Sequence, residues 1–227
     1  MYRYELHMHT AEGSACAQTA VHDMIRRYVE LGFAGAVVTN HFITGNTAID
    51  RNLPWEDFIK AYSRAYYEGL EAARELDFDL LFGVEESYGG GKEILAYGFE
   101  PDFLLERPYL RHAPVSVWSE EVRKVGGFLA YPHPFRQRWY IPEPRLMPDL
   151  SLVDGVEIYN RGNAPEDNDY AAKIFAPMDI TCIAGSDTHN TDFDDPCGIE
   201  LRERVRTSAQ LAKKLHARDF ALRICRK

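Results

Sequence analysis

The chain has 227 residues, a net charge of −9, and a composition that is 45% hydrophobic and 27% charged. This suits one globular domain with a sizeable core, taken here as spanning 1–227, and no window approaches the ~18 consecutive apolar residues of a membrane span. The acidic balance argues against an extended nucleic-acid-binding surface, which wants basic residues, but not against a nucleotide-directed site made positive by bound cations.

The first predicted strand lies within residues 3–10, where Tyr4 and Leu6 alternate and the run ends in His7 and His9. Residues i and i+2 of a strand share a face, so both imidazoles can reach one ion. Residues 11–18 read as a loop. Val21, Met24, Ile25 and Tyr28 then mark a helix at i, i+3, i+4 and i+7. Residues 34–39 form a continuous apolar run, as expected of a strand buried on both faces, and end at Asn40-His41.

Pro54 opens a long predicted helix whose stripe runs from Trp55 through Phe58, Ile59, Tyr62, Tyr66 and Leu70 to Ala73, read as core packing. Residues 80–84 are the next strand, ending at Glu85-Glu86. Gly89, Gly90 and Gly91 form a hairpin-like turn into 94–98 rather than a phosphate loop, since no strand-to-helix context surrounds them. A short helix near 116–125 precedes a strand at 126–131 that ends at Pro132-His133-Pro134. Residues 135–150, with Trp139, Tyr140 and Pro142, read as a covering loop that either packs or stacks on a ring of the substrate. A strand at 154–159 ends at Asn160-Arg161, and a helix follows at about 166–176. The strand at 180–184 leads into Gly185-Ser186-Asp187-Thr188-His189, and a helix from Thr207 precedes a short strand near 220–224.

Strands and helices alternate throughout, which predicts a parallel α/β sheet, either a barrel or an open doubly wound sheet. No signal peptide precedes the first strand, so the expected compartment is the cytoplasm. There Cys16, Cys182, Cys197 and Cys225, none in a C-x-x-C pair, are expected to be reduced.

His7, His9, His41, His133 and His189 all fall at or just after the end of an apolar run, as do Glu85 and Asp187. A barrel gathers such ends into one ring at the C-terminal face. Imidazole and carboxylate together suit zinc, manganese, iron or cobalt. At ~3–4 protein ligands per catalytic ion, seven ligands imply two to three ions. Glu85 is preferred to Glu86 because adjacent strand residues face opposite ways, leaving Glu86 as a structural or supporting acid.

In this order, His7-x-His9, Thr-Asn-His41, Gly-Val-Glu85, Pro-His133-Pro and Ser-Asp187-Thr-His189 resemble the PHP family, named for polymerase and histidinol phosphatase domains. The resemblance runs from residue 4 to the helix near 215. It implies a distorted (β/α)7 barrel of parallel strands, with the active site at their C-terminal ends and up to three divalent ions (zinc, manganese or iron). It further implies that His7, His9, Glu85 and Asp187 hold one ion, that Glu85 bridges to a second with His133, and that His41 and His189 hold a third. Asn160 matches a site-lining position.

Three departures stand out. Where many members have a histidine about six residues after H-x-H, this chain has Glu12 and Cys16, either of which could substitute. Glu93 replaces another histidine; it is a possible replacement ligand, with the reading of a non-ligand in the turn preferred. Asn40 stands for the usual aspartate and would orient a ligand ring from behind.

The implied reaction is hydrolysis of a phosphate ester, in a small phosphorylated substrate or a nucleotide, by metal-bound hydroxide, water being acidified from ~15.7 toward ~7. His189 is a candidate proton donor if metal does not claim it. Arg136, Arg138 and Arg161 lie just beyond strand ends, and Arg136 and Arg161 are favoured for phosphate because a guanidinium fork matches it. The alternatives are a metal-dependent amide or lactone hydrolase and a non-catalytic module with a degenerate site.

Overall fold

A computed structural model describes residues 1–224. Each apolar run predicted to be a strand is one. In chain order the elements are β1 (Tyr2–Met8), α1 (Val21–Glu30), β2 (Gly35–Val38), α2 (Trp55–Tyr62), α3 (Arg64–Glu75), β3 (Asp79–Gly89), β4 (Lys92–Tyr97), α4 (Pro101–Leu105), α5 (Val115–Lys124), β5 (Phe128–Tyr131), β6 (Gly155–Asn160), α6 (Pro165–Phe175), β7 (Thr181–Gly185), β8 (Gly198–Leu201), α7 (Ser208–Ala217) and β9 (Ala221–Arg223). No helix among the described residues is long and apolar enough to cross a membrane.

The strands form one nine-stranded sheet in the order β7-β6-β5-β4-β3-β2-β1-β8-β9. β1, β2, β3, β5, β6 and β7 share one direction, whereas β4 and β8 run against their neighbours. The sheet is therefore mixed where parallel strands were expected. The reason is connection length: the glycine turn after β3 is far too short for the crossover of a dozen or more residues that parallel neighbours require. Past the end of β7 the chain returns to β1. Asp187 N–H donates to His7 O at 2.8 Å and His9 N–H to Thr188 O at 2.9 Å, so the sheet is nearly closed at the end where the histidines lie.

Alternation along the strands feeds two apolar layers. Ala36, Val38, Phe82, Leu129 and Val156 pack with Met24, Ile25, Phe58 and Trp118 of the surrounding helices. Val37, Leu81, Leu95, Phe128 and Ile183 face the other way and pack with Leu211, Ala212 and Leu215 of α7. The aromatic stripe is core, as expected, but it is split. Ser63 ends α2 and begins α3, consistent with the preference of serine for helix ends over interiors. Phe42, next to His41, is ringed by Trp55, Phe58, Tyr62 and Trp118 at centroid distances of 5.9, 5.4, 4.9 and 5.6 Å. Each such pair contributes about 0.5–1.5 kcal/mol beyond its area, so the segment carrying His41 has a rigid backing.

The thiols depart from expectation at one place. Cys197 is disulfide-bonded, while Cys16 and Cys182 are free; Cys225 lies outside the described residues. Cys197 is buried just before β8, where β8 pairs with β9, a setting that cysteine spacing alone does not reveal.

Candidate metal centre

β1 carries His7 and ends just before His9, the segment after β2 carries His41, β3 carries Glu85, and the segments after β5 and β7 carry His133, Asp187 and His189. Glu93 opens β4, which runs antiparallel and so starts at the same end of the sheet. It sits in a strand, not in the turn expected for it. His133 and Asp187 adopt φ of 32° and 56°. Non-glycine residues enter this left-handed region at a cost, and such strain collects at functional sites.

The donor atoms converge. His7 Nε2 lies 3.1 Å from His9 Nε2 and 3.1 Å from Glu85 Oε1. His9 Nε2 lies 3.2 Å from Glu85 Oε2 and 3.1 Å from Asp187 Oδ1. His133 Nε2 is 3.3 Å from Glu85 Oε1 and 3.6 Å from Glu93 Oε2. His41 Nδ1 is 2.9 Å from Glu85 Oε2 and 3.5 Å from Glu93 Oε1. Four overlapping groups have ligand atoms mutually within 4.8 Å: His7-His9-Glu85, His7-His133-Asp187, His41-Glu85-Glu93 and His9-His41-His189.

Protonation is set from behind. His7 Nδ1 meets Glu157 Oε1 at 3.2 Å. Since the carboxylate can only accept, Nδ1 carries a proton, and in the neutral imidazole Nε2 then turns a lone pair toward the cluster. Ser14 Oγ gives its own proton to Asn40 Oδ1 (2.9 Å), so it accepts from His9 Nδ1 (2.9 Å) and from His41 N–H (2.9 Å). His189 Nδ1 donates to the Asp187 carbonyl at 2.9 Å. When neutral, three imidazoles thus present unprotonated Nε2 atoms, two of them directly to carboxylate oxygens.

With the imidazoles neutral, these facing lone pairs repel unless a metal ion lies between them. For ligands ~2.1 Å from a metal, the edge of the coordination polyhedron is about 3.0 Å when octahedral and about 3.4 Å when tetrahedral, which brackets most of the spacings here. His41 Nδ1 and Glu85 Oε2, though 2.9 Å apart, are buried without a hydrogen-bond partner. The residues therefore fit divalent metal ions.

Two glycines make the packing behind the cluster feasible. A Cβ on Gly13 would lie 2.3 Å from Asn40 Nδ2, and one on Gly185 would lie 2.4 Å from Glu157 Oε1 and 2.7 Å from His7 Cβ.

Other expected residues divide. Arg136 lines the cavity above the cluster, of about 360 Å³, with Cys16, Asn46, Gly91 and Tyr140 among its neighbours. Its Nη2 donates to Asp187 Oδ2 at 2.6 Å and Asn160 Oδ1 at 2.9 Å, and its Nε to Asn163 Oδ1 at 2.7 Å. Burial would raise the Asp187 carboxyl, but the Arg136 guanidinium holds it well below the usual range. Asn160 does not line the cavity. It receives Arg136 and donates to Glu157 Oε2 at 2.7 Å. Arg161 is turned away, over the Phe193 ring and toward Asp194 at 3.9 Å, and Arg138 donates to backbone carbonyls. Glu12 serves α1, accepting from Val21 N–H at 2.9 Å. Glu86 accepts from Thr44 N–H at 3.1 Å, and burial raises its carboxyl to about 7. Tyr140 is at the cavity while Trp139 is 95% exposed.

Glu157, Ser14 and Asn163 escaped the sequence reading. Glu157 is the most consequential, since it also accepts from His133 N–H at 2.9 Å. Its one signal was an acid inside an otherwise apolar strand.

No family model matches the chain, and no curated protein matches it. Solved structures do. A two-domain Bacteroides vulgatus protein containing a predicted PHP-like metal-dependent phosphoesterase aligns over 99% of this chain at 18% identity and a TM-score of 0.69. The chain spans 65% of that protein's length. A lesion-specific endonuclease of Pyrococcus furiosus aligns over 97% of this chain and 57% of its own, at 10% identity and a TM-score of 0.64. An amidohydrolase of Chromobacterium violaceum, with bound sulfate and no metal, aligns over 97% and 98% respectively, at 15% identity and a TM-score of 0.61. At these identities the likeness is one of fold, and it is to PHP-like proteins among others.

Proposed function

We propose that this chain is a single-domain, PHP-type metal-dependent hydrolase of phosphate esters. The observation that carries the proposal is the convergence of His7 Nε2, His9 Nε2, His133 Nε2 and His41 Nδ1 on Glu85 and Asp187, with proton positions on His7 and His9 fixed from behind. His7, His9, Glu85 and Asp187 would hold one ion. Glu85, His133 and Glu93 would hold a second, which would bring Glu93 in as a ligand, and His41 lies between that place and His189.

When bound, such ions acidify water and neutralise charge on a phosphoryl group. The protein's own residues do the rest. Glu157 and Ser14 hold the single proton of a neutral His7 and His9 on Nδ1, which would leave Nε2 for a cation. Arg136 locks the Asp187 carboxylate through Nη2 and retains Nη1, which has no partner among the described residues, for a phosphate oxygen. Tyr140 and Gly91 bound the cavity on the side of the 135–150 loop. The fold likeness to an endonuclease and to a predicted phosphoesterase supports this class, and a nucleotide or oligonucleotide substrate is compatible with it.

The test is turnover of p-nitrophenyl phosphate, bis-p-nitrophenyl phosphate and a dinucleotide with added manganese or zinc. The expected result is metal-dependent cleavage of at least one of them, abolished by chelator. Cleavage of an amide or lactone, with no phosphate ester turned over, would replace this reading with the amidohydrolase one that the Chromobacterium neighbour represents.

A further inference from the structure

The loop between β1 and α1 is built to hold Cys16 at the cluster. Ala15 N–H donates to Asn46 O at 2.8 Å and Ala17 N–H to Ser14 O at 3.0 Å, fixing the backbone on both sides of the cysteine. Gln18 N–H donates to His189 O at 2.7 Å, tying the loop to the segment it faces. Cys16 Sγ comes within 3.1 Å of His189 Nε2, and the His41 ring lines the same cavity. The thiol is half-buried and lines the cavity. His9, His41 and His189 already form one of the groups whose ligand atoms lie close together, and His41 is nine-tenths buried with Nδ1 unpartnered.

We infer that Cys16 supplies a sulfur ligand to a cation held with His41 and His189. This rests on the reading of the cluster as a metal centre and adds to it a site of different character. Nδ1 of His189 is committed to the Asp187 carbonyl, so Nε2 offers a lone pair. With a metal–sulfur bond of ~2.3 Å and a metal–nitrogen bond of ~2.05 Å, the sulfur–nitrogen edge is about 3.1 Å at a right angle and about 3.6 Å at a tetrahedral one. The observed 3.1 Å lies at the short end of that range. On binding, the S–H proton leaves to solvent and the sulfur lone pair forms the bond to the cation; nothing is oxidised or reduced. A thiolate ligand favours zinc or cobalt over manganese or magnesium at this position. It also takes His189 Nε2, so the leaving-group proton must come from elsewhere than His189.

The rival explanation for the same contact is a cysteine–histidine pair acting as a nucleophile, with a thiol that stays open to reagents when metal is bound. The test uses the full chain loaded with Co²⁺. A sulfur-to-cobalt charge-transfer band in the near ultraviolet is expected in the wild type. It is expected to vanish in both Cys16→Ser and Cys16→His, with Cys16→His keeping the wild-type number of bound ions. In the unmutated protein, alkylation of the Cys16 peptide by iodoacetamide, read by mass spectrometry, should slow at least tenfold on adding Co²⁺. A band that persists in Cys16→Ser, or alkylation unchanged by cobalt while ions are bound, overturns the inference and leaves the rest of the centre standing. A chain that binds no Co²⁺ at all defeats the metal-centre reading itself.

Discussion

The floor and the rim of the cavity are held in different ways. On the floor, His7, His9 and Glu85 are fully buried, and His7 and His9 each have a second-layer partner: Glu157 behind His7, Ser14 and Asn40 behind His9, while Arg136 grips Asp187. On the rim, Trp139 is 95% exposed and Tyr140 half-exposed, in a loop with no sheet partner. A floor so fully paired has one arrangement, as positioning metal ligands requires. A rim so loosely packed can change with the substrate at little cost to the fold.

Substitutions should separate the two. The largest effect is expected from Asp187→Asn, which removes the charge of a proposed ligand and leaves the buried Arg136 guanidinium without its carboxylate. Steady-state kinetics on whichever phosphate ester is cleaved should show kcat/KM lower by ~10³-fold or more. A value within tenfold of wild type would remove Asp187 from the chemistry.

Next is Glu157→Gln, which keeps the shape but weakens the acceptor that fixes the His7 proton. Metal affinity measured by competition with a chelator should fall by ~10–100-fold, although Glu157 itself is not among the expected ligands. Gly185→Ala tests the same wall by volume. Its methyl would press on Glu157 and His7, and denaturant unfolding should show a loss of ~1–3 kcal/mol. The smallest effect is expected from Trp139→Ala on the rim. Metal content should be unchanged and stability should stay within ~0.5 kcal/mol, with any change confined to KM for ring-bearing substrates.

This contrast also explains what could be read from the sequence. His41, His133, Asp187 and His189 were visible because each follows an apolar run, and a parallel strand brings its end to a shared face. Glu157 was not, because an acid within a strand looks the same whether it faces solvent or two buried groups. The direction of β4 was implicit in its short glycine turn, yet nothing in Ile94-Leu95-Ala96-Tyr97 marks it as antiparallel. β8, four residues from Gly198 to Leu201, is too short for its alternation to stand out. Arg161 has the same sequence context as a phosphate-binding arginine, and only the fold reveals Phe193 beneath it. The second layer is assembled from residues far apart in the chain, as with Ser14 and Asn40 or Arg136 and Asp187, and no local pattern encodes such pairs.

The claim on which the rest depends is that Glu85 and Asp187 share cations with the imidazoles rather than protons. Anomalous scattering from crystals grown with manganese or zinc measures this directly. The account predicts two or more anomalous peaks among His7, His9, Glu85, His133 and Asp187. A cluster without a peak, its imidazoles hydrogen-bonded straight to Glu85 and Asp187, would contradict it.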